Sequence, residues 1–196
     1  MKSLPLILAS ASPRRRELLS TLGIIPLIVA SDAPELHDEH LTAREVCMIN
    51  SLRKGAAVAA RHPDHLILSA DTLVYLGTRL FAKPVDSADA RQMLRDLSGQ
   101  THSVVTAVSL MCRSARFQKA FAETTFVTFR TLNEAQIEDY LSQVHTMDKA
   151  GGYAIQEQGD LIIEQIEGSY SNVMGLPVEA LQVVLKNGDI PSFEPC

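Results

Sequence analysis

The sequence predicts an α/β fold: a mixed, elongated sheet with flanking helices, arranged as two lobes around a central cleft. Apolar runs typical of buried strands alternate with helical segments in the first half of the chain. Two longer segments of alternating polarity, residues 104–111 and 120–130, are typical of antiparallel strands. The 196 residues contain no internal repeat and no low-complexity linker, so we expect a single domain over residues 1–196 whose lobes are not independent domains.

The first elements are a buried strand and the helix that follows it. Residues 4–9 are an apolar run, as expected of a strand covered on both faces. Ser12 and Pro13 have the residue types preferred at the N-cap and first position of a helix, and Gly23 is placed to end that helix. A second strand is expected over 24–29, before a polar and acidic loop.

The next segments predict a long helix, a strand and a hairpin. Thr42 and Glu45 form the capping-box pattern at the start of a helix that runs to about residue 61. Residues 65–70 predict a strand that ends at Asp71, and residues 73–81 predict a hairpin. The remaining predicted elements are a helix capped by Ser87, the two long strands, a helix capped by Asn133, a tight loop over 148–152, a strand over 161–166, a helix over 177–185 and a loosely packed extension over 187–196.

The charge balance argues against a nucleic-acid partner. The chain carries 18 Lys+Arg against 23 Asp+Glu, a formal net charge of -5, whereas duplex binding needs many phosphate-neutralising cations. Aromatic residues make up 5% of the chain, with no Trp, which leaves little for base stacking. Residues 1–100 hold 12 Lys/Arg and 11 Asp/Glu, and residues 101–196 hold 6 and 12. The cations of a small phosphate pocket should therefore come mainly from the first half.

The cysteines and the apolar runs predict a cytoplasmic protein with no membrane partner. Cys47, Cys112 and Cys196 are odd in number and form no C-x-x-C pair, which fits a reducing compartment. No segment approaches the ~18 apolar residues of a membrane helix. The apolar run near the start is short and is followed closely by the arginines at 14–16, so a strand explains it better than a signal peptide.

The first candidate site lies where the first strand meets the first helix. Ser10, Arg14 and Arg15 surround a helix N-terminus, where backbone N–H groups and the helix dipole attract anions. A serine hydroxyl can donate a hydrogen bond, and arginine can bind phosphate through two parallel bonds. These features indicate a phosphate site; the alternative is a capped helix with solvated arginines.

The second candidate site centres on Asp71. Ligands of open α/β sheets gather at the carboxyl ends of strands, where this carboxylate could hold Mg²⁺ or orient and deprotonate a water. The alternative is an aspartate that makes a turn. Lys54 and Lys83 are candidate ammonium groups for the same site, and Glu35 in the acidic loop is a candidate second carboxylate.

The sequence lacks the motifs of several common functional sites. It contains no G-x-x-x-x-G-K-[ST], G-x-G-x-x-G or G-x-S-x-G pattern, which argues against P-loop, dinucleotide-binding and α/β-hydrolase functions. His37 and His40 match no zinc motif, so a solvated loop is expected there. His102 is interpreted as a structural histidine in a turn.

Several of these segments, in this order, resemble the Maf family of nucleotide pyrophosphatases. Each segment is a weak signal alone, but the ordered set is specific, and the similarity spans about residues 6–185. The matching segments are residues 8–19, Ala70-Asp71-Thr72, Lys83-Pro84, residues 93–102, Val105-Thr106, residues 148–156, Gly168-Ser169 and Gly175-Leu176-Pro177. One departure is Gly55, where the family usually has alanine, and we expect it to be a mild change within a helix.

The resemblance implies an inosine-triphosphatase-like fold with a nucleotide cleft. The implied reaction is hydrolysis between the α and β phosphates of a nucleoside triphosphate, with a divalent metal, Mg²⁺ or Mn²⁺, as cofactor. Asp71 is implied as the proton acceptor; whether it binds the metal or acts as the base stays open. A homodimer is also suggested, for which the residues offer no interface signature. The implied phosphate and metal region is lined by Ser10, Arg14, Arg15, Glu35, Lys54 and Lys83.

Three positions bear on the branch of the family. Arg14, Thr72 and Gln156 resemble the branch that prefers dTTP and UTP, modified pyrimidines included. A glutamine amide offers both the donor and the acceptor that a uracil or thymine edge needs. The alternatives are a 7-methyl-GTP pyrophosphatase and a nucleotide-binding regulator of cell division with little turnover. Pyrophosphate release over a panel of nucleotides separates the three.

Overall fold

The computed structural model describes residues 3–38, 40–187 and 190–194. Within these ranges the chain forms eight strands and seven α-helices. The strands are β1 (Leu4–Leu8), β2 (Leu27–Ile28), β3 (Leu66–Leu76), β4 (Arg79–Phe81), β5 (Thr101–Cys112), β6 (Phe117–Phe129), β7 (Ile163–Glu167) and β8 (Phe193–Glu194). The helices are α1 (Pro13–Thr21), α2 (Ala43–Arg61), α3 (Ser87–Leu97), α4 (Glu134–Gln143), α5 (Gly159–Ile162), α6 (Tyr170–Val173) and α7 (Val178–Lys186).

The strands form one mixed sheet. Its order is β2-β1-β3-β5-β6-β7, with β4 paired to β3 and β8 paired to β1. β1 runs parallel to β2, β3 and β8, whereas β4 is antiparallel to β3 and β7 is antiparallel to β6. β5 and β6 are neighbours joined by the short segment 113–116, a connection that only antiparallel strands allow. The predicted mixed α/β sheet and the predicted antiparallel pair are therefore confirmed.

The chain divides into two compact units. The first unit holds residues 1–71, 106–123 and 175–196, and the second unit holds residues 72–105 and 124–174. β3, β5 and β6 each contribute residues to both units. The single domain expected over residues 1–196 stays a prediction.

Each unit has its own apolar core. In the first unit, Val58 and Ala59 of α2 pack against strand residues Ile7, Ile67 and Met111. Fully burying an aliphatic side chain stabilises a fold by about 1.5–3 kcal/mol, so this contact holds α2 against the sheet. The second unit has a larger core, whose fully buried members include Phe81, Leu94, Leu97, Phe129, Ile137 and Tyr140.

Local sequence signals place the ends of the early elements well. Thr42 and Glu45 form both hydrogen bonds of a capping box at the start of α2, as predicted. Ser12 is the N-cap of α1 and Pro13 its first residue, although the Ser12 side chain makes no capping bond. Gly23, with φ +72°, follows the end of α1 in the left-handed conformation that glycine adopts without strain.

The prediction that a strand ends at Asp71 is wrong. β3 continues through Asp71 and Thr72 to Leu76, and the hairpin turn to β4 comes only after that. The polar pair suggested a break, but Leu73 and Val74 beyond it are buried, and their burial extends the strand. Asp71 therefore lies in mid-strand, where the chain passes from the first unit to the second.

Three other predicted boundaries are also corrected. β2 covers only Leu27–Ile28 rather than residues 24–29, and both of its residues are exposed. The N-cap of α3 is Asp86 rather than Ser87, because the Asp86 side chain accepts from the Asp89 N–H. The predicted strand over 161–166 begins as the short helix α5 and becomes β7 at Ile163.

The second half keeps most of its predicted elements. Asn133 caps α4 with a capping box to Gln136, and Pro177 is the N-cap of α7, as expected. The predicted tight loop contains a 3₁₀ turn over Ala150–Gly152, in which Gly151 has φ +75°. Of the predicted terminal extension, residues 188, 189, 195 and 196 (the last being Cys196) lie outside the described residues. A search of the described residues finds no helix that is both long and apolar enough to cross a membrane.

Candidate active site

Asp71 is a buried carboxylate that accepts hydrogen bonds at both of its oxygens. It is 3% exposed. Its Oδ1 accepts from Lys54 Nζ at 2.6 Å, and its Oδ2 accepts from Asn50 Nδ2 at 3.2 Å. The Cys47 thiol donates to its main-chain carbonyl at 3.0 Å. Because a carboxylate oxygen has two lone pairs, each oxygen keeps a further position that can accept a hydrogen bond.

All three of these partners come from one face of α2. Cys47, Asn50 and Lys54 are spaced i, i+3 and i+7, so the helical period puts their side chains in a row. Gly55 lets this face approach the sheet closely, since a Cβ at residue 55 would lie 2.6 Å from Ser69 Oγ. We expected glycine in place of the family's alanine at residue 55 to be a mild change, but Gly55 lies where the helix packs tightly against the sheet. The helix face and the strand together fix the Asp71 carboxylate.

Lys54 joins two carboxylates. Its Nζ lies 2.6 Å from Glu35 Oε1 and 2.6 Å from Asp71 Oδ1. The exposed fractions of the three side chains are 15% for Lys54, 46% for Glu35 and 5% for Asp71. One positive and two negative charges leave this cluster with an excess of negative charge, which favours a further cation. The predicted grouping of Glu35, Lys54 and Asp71 is thus present as direct contacts.

Asn50 belongs to this cluster and was missed by the sequence analysis. It is 1% exposed, and its Oδ1 accepts from the Leu36 N–H at 2.7 Å. Its Nδ2 donates to the Leu36 carbonyl at 3.1 Å as well as to Asp71. Asn50 therefore ties the acidic loop that carries Glu35 to α2. Its position four residues before Lys54, on the same helix face, is the signal that could have found it.

The second predicted grouping lies at the start of α1. Ser10, which is buried, accepts at its Oγ from the Ser12 N–H at 3.2 Å and from Arg15 Nη1 at 3.1 Å. Arg15 Nε donates to the Gly175 carbonyl at 2.8 Å. Arg14 occupies the first turn of the same helix and is half-buried. Arg15 is thus held by protein groups, and the phosphate site predicted around it stays a prediction.

The charge of Arg15 is coupled to the Asp71 cluster. Burial lowers the pKa of Arg15 from its ordinary value because it penalises the guanidinium charge. The negative charges of Asp71 and Glu35 act on the same pKa in the opposite direction, and the positive charge of Arg14 acts with burial. The charge of Arg15 therefore interacts with three other charged groups of the first unit: Arg14, Glu35 and Asp71.

The other predicted site residues belong to the second unit. Thr72 follows Asp71 in β3 and is half-buried; successive strand residues point to opposite faces, so the two side chains diverge. Lys83 is exposed just after β4. Gln156 is also exposed, and its Nε2 donates to Glu157 Oε1 at 3.3 Å.

The donor chemistry of the first unit fits a hard divalent cation that is completed by other ligands. Glu35 and Asp71 direct carboxylate oxygens at one point, where the Lys54 ammonium shows that they can share a cation. Mg²⁺ is commonly held by one or two carboxylates plus phosphate oxygens and water. The parts of the chain that the structure describes contain no group of three or more His, Cys, Asp or Glu that could hold a metal by itself.

His102 has a structural position, although in a strand rather than a turn. It lies in β5, is 1% exposed, and packs edge-on against Phe129 and Tyr153. A hydrogen bond of 2.8 Å joins its Nε2 to the Tyr153 hydroxyl. Burial lowers the pKa of His102 to about 4, so the ring is neutral at physiological pH.

Comparison with known structures bears on the fold. The Staphylococcus aureus Ham1 protein aligns with 93% of this chain and 98% of its own, with a TM-score of 0.52 and 14% identity. Ham1 has an inosine-triphosphatase-like fold, so the predicted fold class is confirmed.

Comparison with known sequences identifies the family. A dTTP/UTP pyrophosphatase of Akkermansia muciniphila is 48% identical over 89% of this chain and 91% of that protein. Proteins of the same name from Deinococcus radiodurans and Bacillus cereus are 43% and 40% identical over 95% and 94% of this chain, and over 94% and 90% of their own lengths. The family model described as Maf-like protein matches residues 5–188. With such similarity along nearly its whole length, the chain belongs to the Maf family.

Proposed function

We propose that this protein is a nucleoside triphosphate pyrophosphatase that hydrolyses dTTP and UTP to the nucleoside monophosphate and pyrophosphate. The observation that carries the proposal is the buried Asp71 carboxylate, held by Lys54 and Asn50 in a chain of the Maf family. Its relatives at 40–48% identity are named dTTP/UTP pyrophosphatases. Removal of surplus or modified pyrimidine nucleotides is the corresponding cellular role.

Hydrolysis between the α and β phosphates requires a water that attacks in line and a site that offsets the charge on the transferring group. Asp71 is placed to accept the proton of that water, since its oxygens keep unused acceptor positions and Asn50 and Lys54 restrict its rotation. Nearby positive charge comes from Lys54, Arg14 and Arg15. The Ser10 hydroxyl at the start of α1 adds a polar group for a phosphate oxygen.

A divalent cation fits the Glu35 and Asp71 carboxylates, and we propose Mg²⁺ or Mn²⁺ as the cofactor. When bound, such an ion supplies charge neutralisation for the phosphates. Lys54, which contacts both carboxylates, is positioned to exchange one of these contacts for a phosphate oxygen. Asp71 can thus serve as metal ligand and proton acceptor through different oxygens.

The specificity residues of the proposal are in the second unit. Gln156 offers an amide to the base, and a uracil or thymine edge presents the matching N–H and carbonyl groups. Thr72 and Lys83 are assigned to substrate binding by the family resemblance. The cytoplasm is the proposed compartment, in accord with the free thiols of Cys47 and Cys112. A homodimer is the proposed assembly, which sedimentation analysis would test.

The test is pyrophosphate release over dTTP, UTP, CTP, GTP and 7-methyl-GTP, with Mg²⁺ and with Mn²⁺. We expect the highest kcat/KM for dTTP and UTP. Asp71→Asn should remove about 10²–10⁴-fold of turnover while leaving the fold intact, because an amide cannot accept the proton. Preferred release from 7-methyl-GTP, tight binding without release, or near-normal rates in Asp71→Asn would each overturn the proposal in its present form.

A further inference from the structure

We infer that Glu157 and Lys149 hold the Gln156 amide in one orientation and thereby let the enzyme distinguish uracil from cytosine. The inference rests on the function proposed above and assigns a positioning role to two residues outside the predicted site. It starts from a chain of polar contacts in the second unit, Gln156 to Glu157 to Lys149.

The Glu157 carboxylate determines which end of the Gln156 amide faces it. An ionised carboxylate only accepts hydrogen bonds, so the amide NH₂ and not the amide carbonyl can lie against it. In the structure, Gln156 Nε2 donates to Glu157 Oε1 at 3.3 Å. The Gln156 carbonyl oxygen and the second N–H of Nε2 are consequently the groups that remain for a ligand.

Lys149 anchors Glu157. Its Nζ lies 3.4 Å from the same Oε1 that accepts from Gln156. The exposed fraction of the Lys149 side chain is 6%, against 41% for Glu157. The Lys149 ammonium also contacts Asp148 Oδ1 at 3.0 Å and donates to the main-chain carbonyl of His145. A charged group that is this buried needs all of these partners, so its position is fixed by the loop.

A fixed amide matters because uracil and cytosine present reversed hydrogen-bonding groups. Uracil and thymine carry an N3–H donor beside an O4 acceptor, whereas cytosine carries an N3 acceptor beside an N4 amino donor. The carbonyl and second N–H left on Gln156 fit the first pattern. A glutamine free to rotate its amide by half a turn would fit the second pattern equally well. Glu157, anchored by Lys149, disfavours that rotation because it would turn the amide carbonyl toward the carboxylate.

The experiment compares kcat/KM for UTP and CTP in the wild type, Glu157→Ala and Glu157→Gln. Alanine removes the acceptor, and glutamine offers both a donor and an acceptor, so each variant allows both amide orientations. The UTP/CTP ratio should fall by about tenfold in both, mainly through improved use of CTP, which is the size of effect expected for one misdirected hydrogen bond. Lys149→Met should shift the ratio in the same direction but less.

The chain offers a matched control in Glu167→Ala. Gln165 Nε2 donates to Glu167 Oε1 at 2.9 Å on β7, which is the same kind of pair at a position with no proposed role. Its UTP/CTP ratio should equal that of the wild type. An unchanged ratio in both Glu157 variants, or an equal loss for all nucleotides, would overturn the inference. Absence of pyrophosphate release by the wild type would instead overturn the proposed function itself.

Discussion

Two lysines, Lys54 in the first unit and Lys149 in the second, each contact two carboxylates, yet their partners come from different parts of the chain. Lys54 contacts Glu35 and Asp71, which lie 19 and 17 residues away on a loop and a strand. Lys149 contacts Asp148, Glu157 and the carbonyl of His145, all within its own loop region. Lys54 therefore brings separate elements to one point, whereas Lys149 stabilises a single segment.

The two units also differ in charge. The first unit holds 12 Lys/Arg and 12 Asp/Glu, and the second holds 6 and 11, so the entire net charge of -5 resides in the second. A polyanionic substrate is repelled by net negative charge, and the unit without it carries Arg14, Arg15 and Lys54. The difference is in accord with the proposal that the cations of the first unit contact the phosphates, and the proposed role of Gln156 in base selection is a separate hypothesis.

The largest effect is expected from Lys54→Met. Loss of this cation leaves Glu35 and Asp71 unshielded and removes stabilisation of developing charge, so kcat should fall by about 10²–10³-fold for every nucleotide. Lys149→Met should lower kcat for UTP by less than about tenfold, because Lys149 affects the bound substrate only indirectly, through Glu157 and Gln156. Steady-state pyrophosphate release measures both. Equal losses of kcat in the two variants would contradict the proposed division of roles.

Asn50→Ala should have the next largest effect. The change leaves the N–H and the carbonyl of Leu36 without their side-chain partner and frees one oxygen of Asp71, which should lower the free energy of unfolding by about 1–3 kcal/mol. It should also lower kcat by about tenfold, because the carboxylate is less well oriented. Urea unfolding and kinetics measure the two effects.

Asn172→Ala is the matched control for Asn50→Ala. Asn172 is a fully buried asparagine of the second unit that donates to the Val104 carbonyl and to Thr125 Oγ1. Its loss should destabilise the protein to a similar extent while kcat is retained. If both variants lost stability and turnover in parallel, Asn50 would have only a structural role.

Sequence patterns predicted the features that depend on residues close together in the chain, such as the start of a helix. Thr42 and Glu45 correctly predicted the start of α2, because a capping box joins residues only three positions apart. The position of Asp71 was misjudged because burial of Leu73 and Val74, which extends β3, depends on tertiary packing. The contacts of Asn50 with Leu36 and Asp71 join residues 14 and 21 positions apart, so its helical spacing from Lys54 could suggest Asn50 as a candidate but could not predict these partners. Glu35 and Lys54 were named as candidates for the Asp71 site from their residue types, and the family resemblance implied the same grouping.

A smaller effect is expected from Gly55→Ala, which tests how closely α2 must approach the sheet. Alanine favours a helix by about 1 kcal/mol over glycine, but its Cβ would lie 2.6 Å from Ser69 Oγ and 2.8 Å from Met111 Cε. Met111 can bend away, whereas the Ser69 hydroxyl is held by the Ser51 carbonyl at 2.7 Å and by Ser109 Oγ at 2.6 Å. Crowding should therefore prevail, with a net loss of about 1–2 kcal/mol in urea unfolding.

Ser69→Ala combined with Gly55→Ala separates crowding from helix propensity. Removal of the Ser69 hydroxyl takes away the atom that the new Cβ meets, so the double variant should lose less stability than the sum of the two single variants. Additive losses would show that the packing of α2 against this strand is not the limiting contact.

The smallest effect concerns the pH dependence of stability, which should originate in the core of the second unit. The pKa of His102 is about 4 in the folded protein because burial disfavours the imidazolium, against about 6.5 in an unfolded chain. Between these values the unfolded state binds more protons, so stability falls as the pH drops below about 6.5 and the loss levels off near pH 4. From pH 7 to pH 5.5 the free energy of unfolding should decrease by about 1 kcal/mol through this residue. His102→Gln should reduce that slope in urea unfolding. Equal slopes in the variant and the wild type would place the acid sensitivity at other residues.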